Sequence, residues 1–139
     1  AENGDAQRFK LPRAWMGKDN LNFSFSGLKT AVLDLVSGME EVPRDDVAAS
    51  FQEAVVEVLT GKLEKAYNKY PEVKEVHLVG GVSANQRLRT AIKEALPQTT
   101  FRYPISLEYC TDNAAMIGAA GYYNRKVTVQ NLTPSHEMH

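Results

Sequence analysis

The hydrophobic positions change period several times along this chain, and each change marks an element. In residues 22–33, NFSFSGLKTAVL, Phe23 and Phe25 alternate with Ser24 and Ser26 before the apolar positions move to Leu28, Ala31, Val32, Leu35 and Val36. A period of two gives way to one of 3.6, which predicts an extended strand running into a helix, with Ser26 as its cap and Gly27 in its first turn. Pro43, followed by Asp45 and Asp46, opens a longer helix in which the acidic first turn matches the helix dipole. Val47, Phe51, Val55, Val58, Leu59, Leu63 and Ala66 line one face, and Ala48 and Val56 add apolar surface elsewhere, so this helix is expected to be covered on more than one side. Gly61 interrupts it at a cost of about 1 kcal/mol relative to alanine, and Pro71 stops it after Tyr70.

Residues 73–79 read as a short buried strand, Gly80 and Gly81 as a sharp turn, and Leu88, Ala91, Ile92, Ala95 and Leu96 as the apolar stripe of a helix. Ser83 and Gln86 stand at capping-box spacing, which places the helix start near residues 83–85. Pro97 ends this helix and residues 99–103 form a second strand, so the segment is a β-α-β unit with parallel strands and a right-handed crossover. Farther on, Thr111, Asp112 and Asn113 open a helix rich in small residues, Ala114, Gly118 and Gly121. Two glycines inside a helix cost about 2 kcal/mol together, so another helix or backbone is expected to press on that face. Residues 9–16 are extended, because Pro12 biases Leu11 away from the helical region, and Trp15 is assigned to packing. Residues 1–6 read as a frayed start or a cut linker and residues 127–139 as a polar tail.

Composition narrows the class. With 139 residues and 43% hydrophobic content the chain buries a real core as one helix-rich α/β domain. Sixteen basic and seventeen acidic residues leave a net charge of −1, which is no general signature of a nucleic-acid or membrane binder. Any RNA contact is therefore local, at Arg8, Lys10, Arg13 and Lys18 or at Arg87, Arg89 and Lys93, residues that read better as solvated surface. The single cysteine, Cys110, excludes an internal disulfide and fits a reducing compartment. The longest apolar run is about half of the ~20 residues that span a bilayer. The expectation is a cytoplasmic protein without a membrane segment. Asn131-Leu132-Thr133 matches a glycosylation sequon, and His136-Glu137-Met138-His139 falls one residue short of a zinc-protease motif; both are assigned to the tail.

The candidate chemistry centres on Gly80, Gly81 and Asn85. Glycines admit a ligand close to the backbone, and the amide groups at a helix start favour an anion by roughly 0.3–1 kcal/mol beyond their hydrogen bonds. Asn85 adds a directional contact, although an ordinary strand-to-helix connection accounts for the same spacing. Ser24, Ser26 and Lys29 form a second polar loop that would face the same ligand. Asp112 is a capping residue by default; read functionally, it is a carboxylate at a helix tip near the crevice where open α/β sheets bind ligands. Gln52, Glu53 and Glu57 are assigned to a solvated helix face, and His77 to a packed or hydrogen-bonded role rather than a ligand.

Taken in order, FSFSGLKTAV (residues 23–32), ASFQEAVV (49–56), GGVSANQRLR (80–89) and CTDNAAMIGAAG (110–121) closely resemble the carboxy-terminal part of the universal tRNA adenosine threonylcarbamoyltransferase family, formerly labelled O-sialoglycoprotein endopeptidase or glycoprotease. The resemblance covers residues 7–126. It implies the carboxy-terminal lobe of an actin-like, Hsp70-like ATPase fold (ASKHA, ribonuclease H-like), with nucleotide held between two lobes. It further implies transfer of the threonylcarbamoyl group from threonylcarbamoyl-adenylate to N6 of adenosine 37 in tRNAs reading ANN codons, the step that makes t6A. Carried over by position, Asn85 matches an adenylate contact, Gly80 and Gly81 the phosphate-side turn, and Asp112 an aspartate that binds an iron or zinc ion. The family's HxxxH pair of metal ligands is absent, since His77, His136 and His139 do not have that spacing. The chain thus reads as one lobe of a longer enzyme, inactive by itself, whose partners are the amino-terminal lobe, tRNA and accessory proteins of the t6A complex, with self-association through the uncovered surface. The alternatives are the nucleotide-binding lobe of another actin-fold phosphotransferase, the metallopeptidase of the older label, and a non-catalytic lobe whose small-residue helix docks a partner.

Overall fold

The computed structural model describes residues 1–17 and 19–124. Its elements run α1 (Ser26–Ser37), α2 (Arg44–Lys69), β1 (Glu75–His77), α3 (Gln86–Ala95), β2 (Thr100–Arg102) and α4 (Ala114–Tyr123), with 3-10 turns at Gly81–Ala84 and Leu107–Tyr109. Among the described residues no helix is long and apolar enough to cross a membrane.

The 26-residue α2 is the axis of the core and is covered on two sides. On one side Val56 packs against Leu88, Ala91 and Ile92 of α3, with Leu59, Leu63, Leu78 and Phe101 closing the cluster. On the other, Ala54 is fully buried beneath Leu11 and Leu28, with Phe9, Phe25 and Leu35 around them. Truncating one such fully buried leucine costs about 2–5 kcal/mol, whereas an exposed ion pair contributes about 1 kcal/mol or less. The apolar clusters therefore hold the fold, and the surface pairs Arg8–Asp46 and Arg13–Glu57 set how the amino-terminal segment lies on α2.

The face of α2 differs from its hydropathy stripe. Phe51 is 37% exposed, while Ser50, Ala54 and Lys62 are buried. The amino-terminal segment explains this: the Phe9 amide donates to Ser50 Oγ at 3.2 Å, and that hydroxyl donates to the Asp5 carbonyl at 3.3 Å. Only small side chains let a second backbone come so near. The frayed start expected over residues 1–6 is in fact tied to α2, because the Asp5 amide donates to Asp46 Oδ1 at 2.7 Å. That hydrogen bond, then Arg8, holds the Asp46 carboxyl below its ordinary range. Lys62 is buried with its ammonium donating to the carbonyls of Asn20 and Asn22, which pins the approach to α1.

Gly61 does not interrupt α2. The Trp15 ring lies over it, and a Cβ at this position would stand 2.8 Å from the ring edge, so the glycine is a contact surface for the indole. Residues 22–25 form no strand among the described residues; the Phe23 and Phe25 rings stack 6.3 Å apart instead. Ser26 is the first residue of α1 rather than its cap, which is Phe25 without a side-chain bond.

The β-α-β unit forms as expected, with β1 and β2 parallel and Glu75, Val76 and His77 opposite Thr100, Phe101 and Arg102. Both strands are shorter than their apolar runs. His77 is exposed and its Nε2 lies 3.0 Å from Glu75 Oε2, so of the two roles expected for it, it takes the hydrogen-bonded one. The α4 helix is exposed along its length, and a Cβ at Gly118 or Gly121 meets nothing within 4 Å among the described residues. The covering element expected there is not part of the described chain. His136, His139 and Asn131 lie outside the described residues.

Two expectations follow. Gly61→Ala should forgo the usual helix gain of about 1 kcal/mol and shift the emission of Trp15, the chain's one tryptophan, whereas the same change with Trp15→Leu should recover the gain in chemical denaturation; a stabilised single variant with unaltered emission contradicts the contact. The Glu75 carboxyl is lowered from 4.5 to about 2, first by the Arg102 guanidinium and then by His77. A depressed carboxyl contributes stability that is present above its unfolded value and is lost as pH falls from about 4.5 towards 2. Acid titration of stability should therefore lose part of its slope in that window in Glu75→Gln, by an amount that salt reduces.

Candidate functional site

The site grows from the end of β1. After Leu78 and Val79 the backbone turns at Gly80, whose φ of 86° and ψ of 173° belong to a region open to glycine alone. Gly81 then enters the 3-10 turn Gly81–Ala84, in which the Ser83 amide donates to the Gly80 carbonyl at 2.9 Å and the Asn85 amide to the Val82 carbonyl at 3.0 Å. Both glycines are exposed, and a Cβ on either would meet nothing within 4 Å. The turn therefore needs glycine at residue 80 for its backbone angle, and both positions leave room for an incoming group.

The capping box expected from Ser83 and Gln86 does not form. Ser83 is buried inside the 3-10 turn with no partner for its hydroxyl among the described residues, and α3 begins only at Gln86. Asn85 is the cap: its Oδ1 accepts from the Leu88 amide at 2.9 Å, and its Nδ2 donates to Gln52 Oε1 on α2 at 2.9 Å. Two residues on, Arg87 forms a forked pair with Glu53 at 2.6 and 3.0 Å, and Glu53 raises the Arg87 guanidinium above its ordinary value. These contacts lock the start of α3 against α2. Beside the amide pair lies an apolar cleft of about 340 Å³, lined by Phe51, Gln52, Val55, Val82, Asn85 and Leu88 among others. It offers mostly apolar walls with an amide pair at one edge, a surface suited to a largely apolar group carrying a few hydrogen-bonding atoms.

Sequence reasoning missed Gln52, which was assigned with Glu53 and Glu57 to a solvated face. Each of the three has a specific partner, Asn85, Arg87 and Arg13 respectively. It also missed Arg89, which was read as surface and is only 8% exposed. The signal for Arg89 was its position one residue after Leu88 on the buried stripe. Of the remaining basic candidates, Arg8 and Arg13 are engaged in ion pairs, and Lys93 Nζ donates to the Tyr103 hydroxyl at 3.1 Å, which lowers the phenol below its ordinary value. Lys18 lies outside the described residues.

Ser24 is half-buried, Ser26 and Lys29 are exposed at the start of α1, and none of the three lines the cleft beside Asn85. Asp112 is exposed in the loop before α4 and its carboxylate has no hydrogen bond or ion pair among the described residues. It is not the cap of α4: Asn113 is, through Oδ1 accepting from the Met116 amide at 3.1 Å. Asp112 is thereby left with a carboxylate that the local backbone does not use. Among the described residues no three His, Cys, Asp or Glu side chains come together as a metal site.

Comparison with known proteins follows the same residues. The family model for tRNA N6-adenosine threonylcarbamoyltransferase (TsaD) matches residues 1–119. Proteins of that name from Clostridioides difficile, Halalkalibacterium halodurans and Thermosipho africanus are 49%, 48% and 48% identical to this chain over 130, 129 and 125 residues. Those alignments cover 89%, 86% and 88% of this chain but 38%, 36% and 38% of the relatives, so the chain spans well under half the length of the curated relatives it matches. The match begins at residue 1 rather than residue 7, and takes in every element from α1 to α3 and both strands. With identity near one half across four ordered motifs and the strand, turn and helix that carry them, the chain belongs to the tRNA N6-adenosine threonylcarbamoyltransferase family.

Proposed function

We propose that this chain is the carboxy-terminal lobe of a t6A-forming transferase with an actin-like, Hsp70-like (ASKHA) fold, and that it supplies the adenylate-facing side of the site. The family match over residues 1–119 carries the proposal. The geometry supports it: an open glycine turn, an amide pair fixed by Gln52 and Asn85, and an apolar cleft stand side by side at the end of a parallel strand. Gly80 and Gly81 would let the phosphate side of threonylcarbamoyl-adenylate approach the backbone, and Asn85 would orient the nucleotide from its amide. Ser24, Ser26 and Lys29 would face the same cleft between lobes only from the far side of α2, as a secondary contact.

Asp112 would contribute one oxygen to an iron or zinc ion, with the other ligands outside this chain. Because Asn113 takes over the capping role, the Asp112 carboxylate is kept for that use. The amino-terminal lobe would cover α4 and complete the cleft. tRNA, the accessory proteins of t6A synthesis and a cytoplasmic location belong to the same proposal. Without its counterpart the lobe would be inactive and would self-associate through the exposed α4.

The test is nucleoside mass analysis of tRNA incubated with threonylcarbamoyl-adenylate, metal and this chain, with and without a separately made amino-terminal lobe. Modified adenosine is expected only with both; its absence when both halves are folded and associated would reject the proposal in favour of a binding lobe. In a complete transferase bearing this segment, Asp112→Ala should abolish t6A formation while leaving the fold intact by circular dichroism. Full activity in that variant would remove Asp112 from the site.

A further inference from the structure

The buried guanidinium of Arg89 is placed between the two loops that carry Asn85 and Asp112. Its Nε donates to the Ser83 carbonyl at 2.6 Å, inside the 3-10 turn that follows the glycines. Its Nη2 donates to the Pro104 carbonyl at 3.2 Å and to Cys110 Sγ at 3.7 Å. The Tyr103 ring lies 4.2 Å from the guanidinium carbon and covers it. The described partners of this buried cation are thus carbonyls, a thiol and a ring face, with no carboxylate among them.

A buried charge without a counter-ion is costly unless its donors are satisfied. Here each satisfied donor reaches a different loop. Ser83 lies two residues before Asn85, and Cys110, 1% exposed, lies two residues before Asp112. The fork of a guanidinium spans the two directions at once, which a single ammonium does not. Ser83 and Cys110 themselves are the most deeply buried points of their loops. They fix the loops to Arg89 and leave Asn85 at the cleft edge and Asp112 in solvent.

We infer that Arg89 is a positioning residue that holds the Gly80–Asn85 turn and the Cys110–Asn113 loop at a set separation, so that groups borne by the two loops meet one substrate. The catalytic meaning rests on the transferase reading above; the mechanical coupling does not. Arg89→Lys retains the charge and loses the fork, and Cys110→Ala removes one arm while leaving Arg89 in place.

Both variants are to be made in a complete transferase bearing this segment, singly and together, and followed by amide NMR with selective labels on Ser83 and Asn113 and by transfer kinetics. Arg89→Lys is expected to stay folded, to move both labelled amides and to lower kcat/KM by about tenfold or more, as displaced reacting groups do. Cys110→Ala should move the Ser83 amide in the parent background and no longer do so when Arg89 is lysine, which isolates the coupling. Wild-type kcat/KM in folded Arg89→Lys, or a Ser83 amide indifferent to Cys110→Ala, overturns the inference. If Arg89→Lys does not fold, the response of Ser83 to Cys110→Ala decides alone. An unaltered parent enzyme that fails to modify tRNA would defeat the proposed function, and the amide measurements would still decide the clamp.

Discussion

The structure depends on α2 being buried from two sides at once. A helix that serves a single core shows one apolar stripe, whereas α2 presents Val56 to α3 and, on another face, Ala54 and Ser50 to the amino-terminal segment and α1. The two sides obey different rules. Branched side chains meet the branched side chains of α3 by filling volume, and small ones meet the amino-terminal segment by letting backbone approach. Because both contacts share one helix, the segment around Leu11 and the β-α-β unit are fixed relative to each other through α2, and Gln52 on that helix inherits the rigidity. A side chain so held is a suitable support for Asn85, whose orientation is then set from α2 and from its own helix end together.

How much of this was legible follows from which forces write on sequence. Periodicity reports apolar burial, and it located α1, the whole of α2, the β-α-β unit and α3, including the stops at Pro71 and Pro97. It does not report close approach of backbone. Ser50, Ala54 and Gly61 look like weak points in a hydropathy stripe and are contact points in the fold. The same blindness misplaced Ser83. A serine three residues before a glutamine before an apolar stripe looks like a capping box, yet the glycine turn winds on into a 3-10 turn and delays the helix to Gln86, handing the cap to Asn85. Polar residues with specific partners were equally hidden, because Gln52 and Glu53 carry no mark of partners that lie 33 and 34 residues away, nor Arg89 of partners 6, 15 and 21 residues away.

The candidate site was legible in its parts and not in its arrangement. Gly80, Gly81 and Asn85 follow from local turn chemistry, and the structure shows both glycines exposed and open and Asn85 half-buried with its amide held by Gln52. Asp112 was visible only as a helix-start residue, for which capping is the ordinary explanation. Asn113 takes that role instead, and an exposed carboxylate with no local task is the remainder. Ser24, Ser26 and Lys29 were linked to the same ligand by their polarity alone, and polarity does not carry position. The link between the turn and the Asp112 loop runs through Arg89, a residue whose charge argued for solvent.

The fourth helix shows where the chain's own interactions stop. An isolated ten-residue helix is marginal in water, and α4 carries two glycines costing about 1 kcal/mol each, at which a Cβ would meet nothing within 4 Å among the described residues. Its Asn113 cap contributes about 1 kcal/mol, and the buried Cys110 anchors the loop that leads into it. Those two points define the approach to α4 but not its flank, where Met116, Ile117 and Tyr122 stand exposed. Small residues and apolar residues alternate on a surface that this chain leaves open, and a helix of that composition becomes favourable only when another surface covers it. The covering surface would then determine how firmly the loop bearing Asp112 is held from the side of α4, as the buried guanidinium determines it from the side of the core. On the proposed two-lobe reading, a carboxylate fixed from one side here and from the other by a second body would reach its final geometry only when the two bodies meet.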